Sequence, residues 1–291
     1  MTDAQPPAEA LAWAAEATGG PVHAVRRLAG GMHAATHLLE TPLGQAVLRR
    51  FPPGDTAAAN EAHALEVLDG LHGWAPRLLG SDPYGARCGQ PTVLITRLPG
   101  RADITSVDPG AAAVQQGRVL ARLHAIPTAR LTGFRDGMAA AAASPHRAAG
   151  SAPGAPLLAA HGHRLTEADP VLTHYDFWAG NVLWQGDTLT GVVDWSGASL
   201  APRGFDVAWC RLDLVLLHGA ATAESFTDAY EEAGGPVPDL ALWDVFALTN
   251  SHRSIETWLP NYHDLGRTDL TSDDLGERHT AWTETRLAAA S

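Results

Sequence analysis

Lysine is absent from this chain of 291 residues; all 20 basic residues are arginine. A nucleotide-binding P-loop ends in Gly-Lys-Ser/Thr, so that route to phosphate binding is excluded, as is Schiff-base chemistry on a lysine. Cysteine is nearly as scarce. Cys88 and Cys210 lie far apart and match no zinc or redox spacing, which fits a reduced, cytoplasmic protein. No apolar run reaches the roughly 20 residues of a membrane span. The opening "MTDAQPPAEA" has no basic segment followed by an apolar stretch, so no signal peptide is expected. Basic clusters are missing too, and the formal net charge is −12. Binding to nucleic acid relies on concentrated Arg and Lys, which argues against such a partner. Gly-x-Ser-x-Gly does not occur, so the serine-hydrolase elbow is excluded.

What is present is a core and a change of period. With 45% hydrophobic residues the chain can fill one large domain or two lobes. "PPAEALAWAAEATGG" reads as a short amphipathic helix closed by glycines. Residues 20–98 then read as about five short strands, "VHAVRRLAGG", "AATHLLET", "GQAVLRRF", "PRLLGSD" and "QPTVLITRL". One helix, "DTAAANEAHALEVLDG", is inserted with Asp55 as N-cap and Gly70 as stop. "PGRAD" breaks the pattern. Beyond it the chain is mainly helical, starting with "DPGAAAVQQGRVLARLHAI" behind an Asp108 N-cap. The Ala/Gly/Pro-rich residues 127–160 read as a loop around a short helix or as partly disordered. The segments "RGFDVAWCRLDLVLLHG", "ATAESFTDAYEEAGG", "PDLALWDVFALTNSHRSIETWL" and "TSDDLGERHTAWTETRLAAA" each read as one helix. The expected layout is a β-rich lobe over residues 1–98 and a larger α-rich lobe over 99–291.

Between these helices lies "LTHYDFWAGNVLWQGDTLTGVVDWSG", residues 172–197. It reads as two short strands, "NVLW" and "GVVDW", joined by a Gly-Asp turn. Transfer of a phosphoryl group from ATP needs positioning and charge neutralisation more than covalent chemistry. One carboxylate orients the attacking hydroxyl, a carboxylate and an amide hold Mg²⁺, and a cation meets the phosphates. His174, Asp176, Asn181 and Asp194 supply such groups, and Asp-x₄-Asn is the spacing of a kinase catalytic loop. Only 11 residues separate Asp194 from Asp206, which leaves no room for the long segment on which a protein kinase docks a peptide.

"LTHYDFWAGNVLW…GVVDWSGASLAPRGFDVAW" resembles the aminoglycoside phosphotransferase family, the small-molecule relatives of protein kinases. Weaker matches at "LAGGMHAATHLL", "AVLRRF", "NEAHALEVL", "LITRLPGR" and "GRVLARLHAIP" extend it over about residues 22–215. The resemblance implies a bilobal α+β protein-kinase-like fold. It implies that Asp176 takes or orients the acceptor proton, that Asn181 and Asp194 bind Mg²⁺, and that His174 and Asp206 brace the loop. Arg49 falls where the family has a lysine, with Glu61 as its partner. Gly30 and Gly31 would cover the phosphates, and Ile95, Thr96 and Leu98 would hold adenine. ATP is the expected donor, with GTP as an alternative.

The expected acceptor is a hydroxylated small molecule, an aminoglycoside antibiotic first, with resistance as the outcome. A basic peptide antibiotic, a macrolide, or a metabolite such as choline or homoserine stands second. A silent nucleotide-binding pseudokinase, monomeric or dimeric like the active reading, is the alternative from another class. For a cationic acceptor, Trp178, Asp213, Asp264, Asp269, Asp273, Asp274 and Glu277 are the candidate contacts.

Overall fold

Alternation of apolar and polar residues builds the first part of the chain. The computed structural model describes residues 5–28, 33–143 and 152–290. These form two compact units, residues 1–100 with 190–197, and residues 101–189 with 198–291. The division falls two residues past the break expected after Leu98. The return of 190–197 to the first unit has no counterpart in a simple cut of the sequence.

In the first unit, α1 (Ala8–Thr18) precedes β1 (His23–Arg27), β2 (Ala35–Thr41) and β3 (Gly44–Arg50). Then come α2 (Ala57–Leu68), β4 (Leu78–Asp82) and β5 (Thr92–Thr96). The strands form one antiparallel sheet in the order β1-β2-β3-β5-β4. Successive side chains of a strand point to opposite faces. Ala46 and Leu48 of β3 therefore join Leu39 and Leu94 in a cluster with Ala10, Trp13 and Ala14 of α1. Arg49 points the other way. The Asp55 carboxylate accepts the Ala57 N–H at 2.7 Å, but Thr56 occupies the N-cap position and the helix starts at Ala57. It ends before Gly70, with Asp69 in the left-handed region at φ 43°.

The second unit opens with α3 (Pro109–His124), capped as expected by Asp108, which accepts the Ala111 N–H at 2.9 Å. Within 127–160 two short helices form, α4 (Gly137–Ala143) and α5 (Ala155–His161). Next in the chain are β6 (Pro170–Thr173), β7 (Val182–Gln185), β8 (Thr188–Val192), whose last three residues belong to the first unit, and β9 (Ser199–Pro202). β7 and β8 are the hairpin read from the sequence, with Gly186 at φ 58° in the turn. β6 pairs with β9, a four-residue ladder that the sequence did not announce. The remaining helices are α6 (Gly204–His218), α7 (Ala220–Gly234), α8 (Leu240–Ser251), α9 (Leu259–Asp264) and α10 (Ser272–Ala290). The segment 238–259, expected as one helix, breaks after Ser251. A tight turn over Ile255–Trp258 then leads into α9. No described helix is long and apolar enough to cross a membrane.

α3 packs against α7 through Gly117. A Cβ built there would lie 2.3 Å from the Phe226 carbonyl oxygen, a backbone atom that cannot swing aside. Gly276, in α10, has no atom within 4 Å of the same point. Gly117→Ala should therefore lower stability by about 1–3 kcal/mol, whereas Gly276→Ala should raise it by about 0.5–1 kcal/mol through helix propensity alone. Urea unfolding of the two variants checks the opposite signs.

Candidate active site

The loop after β6 is set by one buried carboxylate. Asp206, in the first turn of α6, is fully buried. It accepts the backbone N–H groups of His174 at 2.6 Å and Tyr175 at 2.9 Å. Tyr175 lies in the left-handed region at φ 75°, which costs a bulky residue roughly 1–2 kcal/mol. The grip of Asp206 offsets that cost. So does stacking of the Tyr175 ring, 4.7 Å from the Phe205 ring and 4.7 Å from the Arg135 guanidinium. The turn at Tyr175 leaves Asp176 exposed, while His174 and Phe177 on either side are buried and pack edge to face at 6.0 Å.

The support reaches further than the expected brace. His124, at the end of α3, places Nε2 3.3 Å from the Asp206 carboxylate and Nδ1 2.7 Å from the Tyr230 hydroxyl. In a neutral ring the Tyr230 O–H donates to Nδ1 and the Nε2–H donates to Asp206. Sequence reasoning had no signal for Tyr230. His124 lies in the helical pattern "LARLHAI", which by itself gives it no role.

Asp176 and Asn181 meet directly. The Asn181 amide nitrogen donates to the Asp176 carboxylate and to the Asp176 backbone carbonyl, both at 2.8 Å. With its NH₂ so engaged, the amide presents its oxygen elsewhere. Trp178 lies over Gly180, where a Cβ would come within 2.2 Å of the indole. Its ring also packs at 5.9 Å on Tyr262 of α9. The Tyr262 hydroxyl donates to Asp213 at 2.5 Å. Burial pushes the Asp213 carboxyl up to about 7, against the lowering effect of that hydrogen bond. Asp213 has no cation among the described residues. Tyr262 was not singled out in the sequence.

The other acidic candidates do other work or stand apart. Asp274 accepts the Thr271 N–H at 2.9 Å while the Thr271 hydroxyl accepts the Asp274 N–H at 3.1 Å, a reciprocal cap on α10. Asp269 takes two bonds from Arg267, both 2.8 Å. Asp264, Asp273 and Glu277 are exposed, and no described contact links them to the loop.

Within the first unit, β3 and α2 bring Arg49 and Glu61 together as an ion pair buried from solvent. The same guanidinium reaches Asp194 at 2.7 Å through its other terminal nitrogen. Burial raises the Glu61 carboxyl to about 7; Arg49 and a backbone hydrogen bond from Trp195 act the other way. Asp194 lies two residues beyond β8, not at its end, in the left-handed region at φ 65°. Ile95 is buried. The Thr96 N–H donates to the Arg77 carbonyl and its hydroxyl accepts the Arg77 N–H, both at 2.9 Å. Its N–H is spent inside the sheet. Leu98 is nearly buried, with Gly191 close enough that a Cβ there would meet Leu98 at 2.5 Å. Gly30 and Gly31 lie outside the described residues.

Among the described residues no three His, Cys, Asp or Glu side chains cluster as a metal cage. Asp194 in the first unit carries a carboxylate and Asn181 in the second an amide oxygen, each a hard oxygen of the kind Mg²⁺ takes. Mg²⁺ is commonly held by one or two protein groups together with substrate phosphates.

The fold and these paired groups define the class of kinase-like phosphotransferases. A protein of Ralstonia eutropha JMP134 described as an aminoglycoside phosphotransferase superposes with a TM-score of 0.65 at 17% identity, covering 98% of both chains. The aminoglycoside phosphotransferase APH(4)-Ia, solved as a ternary complex with AMP-PNP and hygromycin B, gives 0.65 at 16% identity, covering 96% of this chain and 99% of that one. A homoserine kinase of Methylobacillus flagellatus is 30% identical over 161 residues, 49% of this chain and 48% of its own, so the chain spans about half of that relative. The chain belongs to the phosphotransferase enzyme family, whose profile matches residues 24–245.

Replacing Asp206 by Ala would strand two loop N–H groups and the His124 N–H without their acceptor. The expected loss is roughly 2–5 kcal/mol, with kcat falling more than the acceptor KM changes. Asp206→Asn, which keeps one acceptor oxygen, should fall between Ala and wild type in urea unfolding and in steady-state kinetics.

Proposed function

We propose that the protein transfers the γ-phosphoryl group of ATP to a hydroxyl of a small, positively charged acceptor, an aminoglycoside antibiotic first. The pairing of Asp176 with Asn181 on a loop fixed by Asp206 carries this reading. An exposed carboxylate held by an amide would orient an acceptor hydroxyl and take its proton. After Asp194 the chain passes within five residues into β9 and then into α6. No segment is left there for docking a peptide, which favours an acceptor that reaches Asp176 unaided.

Arg49 would meet the inner phosphates of the nucleotide, and its always-charged fork suits that task. Asn181 and Asp194 would hold Mg²⁺, which when bound neutralises phosphate charge. That the sequence carries all of Asp176, Asn181 and Asp194 favours an active enzyme over a silent relative. A positively charged acceptor is favoured by Asp213, a half-buried carboxylate with Tyr262 as hydrogen-bond donor and Trp178 beside Tyr262. An ammonium group could pair with this carboxylate and lie near the aromatic face. The homoserine kinase match supports a second reading with the same recognition, a hydroxylated amino acid as acceptor.

Incubation with ATP, Mg²⁺ and a panel of aminoglycosides and hydroxylated amino acids should give one product heavier by one phosphate in mass spectrometry. Asp176→Asn should lower kcat by about 10²-fold or more; wild-type turnover by this variant would remove Asp176 from the chemistry. The raised Asp213 adds a pH signature. Below about 7 the group is mostly neutral, and above it the carboxylate can pair with an ammonium ion. The acceptor KM should therefore fall as pH rises through about 7, and Asp213→Asn should flatten that profile.

A further inference from the structure

Arg49 does more in the first unit than pair with the helix glutamate. Its two terminal nitrogens go to two different carboxylates, one to Glu61 and the other to Asp194 at 2.7 Å. Arg49 is 5% exposed, and its guanidinium lies 5.3 Å from the centre of the Phe51 ring. The segment around Asp194 is tied to the same helix by independent bonds. The Asn60 amide donates to the Ser196 carbonyl at 2.7 Å, and the Trp195 backbone N–H supports Glu61. The Ser196 hydroxyl donates to the same Asp194 oxygen that Arg49 holds, also at 2.7 Å. Arg49 thus closes a ring from β3 through α2 to residues 194–196. Two carboxylates close together repel, and a single cation between them removes that repulsion. A planar fork with a separate nitrogen for each does so with fixed geometry, which one ammonium cannot reproduce.

We propose that Arg49 is the resident counter-cation of Asp194, filling in the nucleotide-free protein the charge position that a divalent cation takes, so that the two compete for this carboxylate. The proposal rests on the reading of Asp194 as a metal ligand. It extends that reading, because it makes Arg49 a positioning residue for the metal ligand as well as a contact for phosphates. The protein then holds metal poorly until a nucleotide brings phosphate oxygens to share it.

Titration of Mn²⁺ into nucleotide-free protein, with free Mn²⁺ read by electron paramagnetic resonance, tests this without any turnover. Arg49→Met keeps most of the apolar stem and removes the charge, and should tighten Mn²⁺ binding by about tenfold or more. Glu61 would be left buried without its cation in that variant, so Arg49→Met/Glu61→Gln is measured beside it and should show the same gain. Adding Asp194→Asn to either should abolish the gain. The proposal falls if both variants bind Mn²⁺ no more tightly than wild type, if the gain survives Asp194→Asn, or if Arg49→Lys gains as much as Arg49→Met. Failure of the underlying reading looks different: wild-type protein would then bind no ATP in the presence of Mn²⁺.

Discussion

Two backbone N–H groups, at His174 and Tyr175, hang on one buried carboxylate, and the loop that exposes Asp176 hangs on them. Asp206 comes from a helix that starts ten residues after Asp194, so the loop and its anchor are distant in the chain. A buried carboxylate without donors would be expensive. Here each of its oxygens accepts a loop N–H, and His124 adds a third contact. The left-handed turn at Tyr175 is stable only inside this frame. Tyr230 and His124 extend the frame into α7 and α3, and the close approach of those helices at Gly117 keeps it together.

The first unit obeys a parallel rule with the opposite charge. One buried cation, Arg49, serves two carboxylates. Its geometry follows from alternation in β3. Arg50, one residue later, turns to the α1 face and bonds Gln90 at 2.8 Å. A slip of one residue in register would turn Arg49 to the α1 face and bring Leu48 or Arg50 toward Glu61 in its place. The chain's lack of lysine thus does not leave the position empty. The cation there is a fork rather than a point charge, and that fork meets Asp194 as well as Glu61.

Much of the fold was legible because periodicity is a local property. The five strands, α2, α3 and the β7–β8 hairpin could be read from alternation, helical spacing and turn residues, and Asp108 announced its own cap. The break between α8 and α9 was missed because helical spacing continues through it. The β6–β9 ladder was missed because four residues carry too little pattern. In the site, Asp176 with Asn181 and Arg49 with Glu61 were legible from spacing and resemblance. Tyr262 and Tyr230 were not, since an isolated tyrosine in a helix looks like any core residue. The acidic run 264–277 looked like a binding surface by composition, yet Asp269 and Asp274 turned out to have local partners.

The sequence by itself determined the kind of chemistry available, because residue types and short spacings are fixed covalently. It set the carboxylate and amide five residues apart, the absence of lysine, and the short interval between Asp194 and Asp206. Tertiary structure decided which of those groups are held, and by what. A buried charge or an exposed loop is stable only where distant elements supply its partners. The partners of Asp206, Arg49 and Asp213 come from α3, α2 and α9, and from the chain around residues 174 and 194. No local pattern encodes those meetings, because they depend on how folded elements pack.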